Sequence, residues 1–191
     1  MSAQGVEKLK QDLVTLEAFA EEMDAYLRAD GLFRPMGPLL PQLTLGGYLM
    51  RQYRLLHLRG RLDSAENQRL DHALTRYQQA LVEKIVRFEQ HAYHELDARL
   101  RQWKEYLRDL QGDPSSGTSY YATAVEPRVM LDALVEQLTS PPYRLESDVP
   151  QRLIPLDRHL RARQHGDDFV WPIEWQAAYP RDRFWYLYGS P

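Results

Sequence analysis

The chain has 191 residues, 43% hydrophobic and 27% charged, which suits a globular protein of one domain or one with a small appendage. A net charge of −3 gives no general attraction to nucleic acid or anionic lipid, and the absence of cysteine excludes disulfides, thiolate metal sites and a cysteine nucleophile. No apolar run is long enough to span a bilayer and Met1–Lys8 holds no apolar signal core, so no membrane partner and a cytoplasmic location are expected.

A first helix is predicted from about Gly5 to Ala29. Val6, Leu9, Leu13, Leu16, Ala20, Met23 and Leu27 recur in steps of three and four, a heptad seam of the coiled-coil kind, and Asp30-Gly31 stops it. Pro35, Pro38 and Pro41 make Leu32–Leu43 a stiff crossing loop whose apolar members are expected to cap the bundle end. A second helix is predicted over Thr44–Arg59, weakened at Gly46-Gly47 unless those glycines admit a close contact. The short link Gly60–Leu62 makes it an antiparallel neighbour of the next helix.

That next element organises the rest. Asp63-Ser64-Ala65-Glu66 has the form of a capping box, and no glycine or proline follows until Gly112-Asp113-Pro114. Leu70, Leu74, Tyr77, Leu81, Ile85, Phe88, Ala92, Leu96, Leu100, Trp103, Leu107 and Leu110 keep helical spacing, with Val82, Val86 and Tyr93 widening the stripe. One very long helix is therefore predicted from about 63 to 111, roughly 70 Å at about 1.5 Å per residue, with a bend near Gln90–His94 as the alternative. Helices one and two can cover only its near half.

Asp113–Ser119 reads as a turn or linker. Thr123-Ala124-Val125-Glu126 resembles a second capping box, opening a helix that carries Met130, Leu131, Leu134, Val135 and Leu138 and is expected to fold back antiparallel on Leu96–Leu110. A short helix is predicted at Leu156–His165, after a stretch broken by prolines, and an aromatic, irregular tail follows in which Phe184–Tyr188 has no obvious partner strand. The expected fold is all-α: an antiparallel three-helix bundle over residues 1–112, with 113–191 packing helices and tail on the distal half of the long helix.

Three constellations could carry function. His91 and Glu95, four apart on a helix, could join His57 as metal ligands. At about 100° per residue, however, His91 falls well off the stripe and His94 nearly opposite it, and the Glu-x-x-His pairs of di-iron bundles are missing. Arg51, Arg54 and Arg61 share a side of the second helix and could meet nucleic acid, which the net charge disfavours; pairing with acidic helix faces is the competing reading. Trp171, Trp175, Phe184, Trp185, Tyr186 and Tyr188 could finish the core or bind a protein partner. No Gly-x-Ser-x-Gly elbow, phosphate-binding glycine loop or His-Glu-x-x-His occurs, so no catalytic residue and no cofactor are predicted. The function expected is that of a non-enzymatic helical interaction or scaffold protein that self-associates. A metal-binding bundle using His91, Glu95 and His57 comes second, and a nucleic-acid-binding accessory protein third.

Overall fold

The segment expected as one rod is two helices. In the computed structural model, which describes residues 3–112 and 119–191, α3 (Ser64–Glu83) and α4 (Ile85–Gly112) meet at Lys84. Lys84 takes φ −134° and ψ 41°, and its N–H bonds the Leu81 carbonyl, one residue short of the regular α partner. The β-branched Val82, Ile85 and Val86 around it lower helix preference by a few tenths of a kcal/mol each. The Lys84 ammonium pairs with Asp24 of α1 (Ala3–Arg28), so the interruption is held by a tertiary contact.

The chain divides into two units, Met1–Glu95 and Leu96–Pro191, and α4 contributes to both. In the first unit α1, α2 (Leu45–His57) and α3 form the expected bundle. Ion pairs Lys10–Glu66, Glu17–Arg69 and Asp24–Lys84 advance together along α1 and α3, so those helices run the same way. Tyr48 of α2 stacks on Tyr77 of α3 at 4.1 Å while Arg59 beyond α2 pairs with Asp71, so α2 runs opposite. The heptad seam of α1 from Leu9 to Leu27 is buried. Both arms of the first capping box form: Asp63 Oδ1 accepts from Glu66 N–H at 2.8 Å and Glu66 Oε2 from Asp63 N–H at 2.9 Å. The proline loop turns through a bridge between Arg34 and Leu43. Leu43 is buried, whereas Phe33 and Leu39 stay exposed, so that loop caps the bundle end only in part.

The second unit contains the rest of α4, then α5 (Tyr121–Ala124), α6 (Glu126–Thr139), α7 (Asp148–Arg161), β1 (His165–Phe169) and β2 (Tyr188–Ser190). Of the linker expected over Asp113–Ser119, residues 113–118 lie outside the described residues. Thr123 does not cap α6: α5 already occupies that stretch, Thr123 N–H bonds the Tyr120 carbonyl, and α6 starts after Val125 with no side-chain cap. The helix expected at 156–165 begins eight residues earlier. Pro150 sits in the first turn of α7, where no N–H partner is needed, and Pro155 removes only its own bond to Gln151, which is exposed to water. Side chains meeting α4 in this unit include Arg152 of α7, 2.6 Å from Asp97, and the rings of Tyr120 and Tyr121 around Tyr106.

The tail does find a partner strand. β2 pairs antiparallel with β1, with His165 opposite Ser190 and Phe169 opposite Tyr188. The segment His165-Gly166-Asp167-Asp168-Phe169 has no apolar alternation, so its strand character is invisible in sequence. Gly189 has φ +85°, and a Cβ there would lie 2.6 Å from the carbonyl oxygens of His165 and Gly166. The pairing therefore requires glycine at that position.

Candidate functional site

The metal candidates are built into the packing of the first unit. Glu95 is fully buried and accepts the Gly46 N–H at 2.8 Å in the first turn of α2, beside the Thr44 cap that accepts from Gly47 N–H. A carboxylate there meets the positive end of the helix, and Gly47 is tight: a Cβ would sit 2.9 Å from Thr44 Oγ1. His91 is buried against Tyr26, ring centroids 4.8 Å apart, and its Nε2–H donates to the Ala29 carbonyl at 2.9 Å. Arg87 donates to the carbonyls of Leu27, Arg28 and Ala29 and to Asp30, so two side chains of α4 satisfy the open C-terminal end of α1. His57 is exposed, stacks on Tyr53 and donates to the Tyr53 carbonyl. His91, Glu95 and His57 are thus held by separate partners. Among the described residues no three His, Cys, Asp or Glu side chains are grouped to hold a metal ion.

The position of His91 corrects the helical-wheel reading. Counting angles from the α3 stripe assumes an unbroken helix, and Lys84 resets the phase. Ile85, which an unbroken helix would place about 40° from Leu81, is 39% exposed, while His91 is buried. Val82 and Val86, expected to widen the stripe, are 62% and 65% exposed.

The arginine set separates in the same way. Arg54 is buried with Nη1 2.5 Å from Asp12 Oδ2, and Arg51 Nε lies 3.1 Å from Asp12 Oδ1 with its guanidinium over the Phe19 ring. Only Arg61 of the three is exposed. Arg51 and Arg54 are accordingly tied to α1, the competing reading, although through Asp12 and not the outer acidic face. Asp12 had a sequence signal: it falls three after Leu9 and four before Leu16, on the apolar seam.

The aromatic residues are core of the second unit. Trp171 Nε1–H donates to the Ala122 carbonyl at 2.6 Å, Tyr121 O–H to the Tyr186 carbonyl at 2.6 Å, and Tyr188 O–H to the Tyr179 carbonyl at 2.7 Å. Trp171 meets Trp175 and Tyr179 edge-on, and Tyr179 meets Phe184 in turn. Trp171, Trp175, Phe184, Tyr186 and Tyr188 are buried, and half-buried Trp185 carries Arg161 over its ring at 4.0 Å. Packed inward, these rings present little to a partner.

Sequence reasoning missed a further largely buried polar cluster, centred on Arg128. It forms a two-pronged pair with Asp157 at 2.8 and 2.9 Å and a third contact with Asp132 at 2.5 Å. Tyr186 O–H donates to the other Asp132 oxygen at 2.5 Å and its ring lies under the guanidinium. Burial alone would lower the Arg128 proton affinity; Tyr186, Asp132 and Asp157 outweigh it and hold the group charged. Burial, with Asp132 second, pushes the Tyr186 phenol well above its ordinary value, so it stays a donor. Arg128, three before Leu131, lies on the apolar face of α6, which was the available signal. The cluster can clamp α6, α7 and the tail, and its charged groups are already paired with one another.

Among the described residues no helix is long and apolar enough to cross a membrane. Comparisons with family models, with curated proteins and with solved structures found no match.

Proposed function

We propose that this chain is a non-enzymatic helical interaction protein that associates with a second copy of itself through the face of α3 and α4 around Lys84. The observation that carries the reading is the exposure of Val82, Ile85 and Val86 together on one short stretch. Val82 lies in the last turn of α3 and Ile85 and Val86 open α4, and apolar side chains exposed so close together, unlike those scattered singly, favour an interaction surface. A two-fold pairing would cover the group on both copies at once. Covering what is exposed of these side chains on two copies contributes on the order of 5–10 kcal/mol against an association cost of roughly 4–15 kcal/mol, so only a weak complex is expected. The polar clusters support the same reading, because Asp12, Glu95, His91 and Arg128 are engaged in holding helices together.

Sedimentation velocity over a concentration series tests it. The parent should shift from monomer to dimer as concentration rises from micromolar towards millimolar, and Val82→Asp/Val86→Asp should stay monomeric with unchanged helicity. A parent that remains monomeric to millimolar concentration, or a double variant that associates like the parent, ends the proposal.

A further inference from the structure

A recess of about 400 Å³ opens between α4 and α7 in the second unit, lined by Leu100, Arg101, Lys104, Arg152, Pro155 and Leu156. Its chemistry is divided. Leu100, Pro155 and Leu156 give an apolar floor. Arg101, Lys104 and Arg152 bring positive charge, and no acidic side chain lines it. Arg152 is committed to Asp97 at 2.6 Å and Asp148 at 3.6 Å. Arg101 and Lys104 are exposed and have no ion pair or hydrogen bond among the described residues.

Two solvated cations on a helix are ordinary by themselves; the apolar cavity beside them is what calls for a ligand. We propose that this recess binds a carboxylate carrying a short unbranched apolar tail, the chemistry of a medium-chain fatty acid. The carboxylate would take charge-assisted hydrogen bonds from Arg101 and Lys104, and the tail would lie on Leu100, Pro155 and Leu156. Size argues for a small molecule: the recess falls within the roughly 300–1,000 Å³ of small-ligand sites, whereas a stable protein partner covers about 800 Å². The apolar floor argues for an amphiphile over a bare anion, since each methylene removed from water raises affinity about fourfold. Pro155 fits this role, since its ring offers the tail an apolar surface with no N–H to leave unsatisfied.

The test is a titration of the full chain with sodium decanoate below its micelle concentration, at low ionic strength, followed by backbone amide shifts. Decanol and decyltrimethylammonium serve as controls. The expected result is a saturable shift confined to residues around Leu100–Lys104 and Arg152–Leu156, with decanol at least about tenfold weaker and the cationic amphiphile without effect there. Arg101→Gln/Lys104→Gln should weaken decanoate by at least about tenfold while leaving the response to decanol as it was. Both side chains are exposed; should the double variant fail to fold, Lys104→Gln alone should weaken decanoate by about threefold or more. Absence of saturable shifts, equal affinity for decanol, shifts centred elsewhere, or a folded variant that binds like the parent would each overturn the proposal. The result is separate from self-association, which rests on Val82, Ile85 and Val86 and is read by mass.

Discussion

At the scale of single residues, His91 has the clearest link between environment and behaviour. Burial depresses its imidazole below the ordinary value of 6.5, with Arg87 and His94 pushing the same way and the Ala29 carbonyl and Asp30 opposing. As pH falls, the unfolded chain takes up this proton before the folded one does. The contribution of His91 is therefore fully present above about pH 6.5 and is lost progressively below it. Asp24, Asp30 and Glu66 titrate in a different window: side-chain hydrogen bonds from Lys84, Arg87 and Lys10 hold them below the ordinary carboxylate range. Their contribution is present above that range and is lost as pH falls below it, through the depressed values of the folded chain. Urea midpoints taken at pH 7.5 and 5.5 should drop for the parent and drop less for His91→Gln. Equal slopes in the two proteins would assign the effect to another group.

At the scale of elements, polar side chains decide which helices meet. Arg128 joins α6 to α7 through Asp157 and to the tail through Asp132 and Tyr186. Replacing it by Met leaves two carboxylates facing each other in a mostly buried site, which costs about 3–5 kcal/mol when one partner of a buried pair is removed. Arg128→Met should lower the unfolding free energy of the second unit by that amount, and Arg128→Met/Asp132→Leu/Asp157→Leu should recover much of it. A loss below about 1 kcal/mol, the scale of an exposed pair, would mean the cluster is solvated and carries little. The break at Lys84 belongs to the same scale. A helix interrupted without glycine or proline depends on Asp24 across from it and on local β-branched residues that resist it weakly.

At the scale of the molecule, the tail is the second unit's core and not an appendage. Phe184, Tyr186, Leu187 and Tyr179 are among its most buried side chains, and β2 closes against β1 only through Gly189. Deleting Phe169–Pro191 should therefore unfold the second unit while leaving the first, whose buried seam from Leu9 to Leu27 and whose Asp12, Glu95 and His91 contacts are internal. Hydrogen exchange read by mass spectrometry checks it: amides of α1, α2 and α3 should stay protected in the truncated chain and those of α6 and α7 should exchange freely. Protection lost throughout would show that the first unit does not stand without the tail.

The sequence by itself determined the helical class, the seam of α1, the capping box of α3, the Thr44 start of α2 and the antiparallel order of the first three helices, because local spacing and end chemistry act within a few residues. It did not determine the interruption at Lys84, the burial of His91 and Glu95, the start of α7 at Asp148 or the pairing of β1 with β2. Most of these involve a group distant in the chain: Asp24 for Lys84, Ala29 for His91, Gly46 for Glu95, and Gly189 for β1. Periodicity reports which side of a helix is apolar. It cannot report a phase reset by a tertiary ion pair, nor which backbone group a buried charge will find.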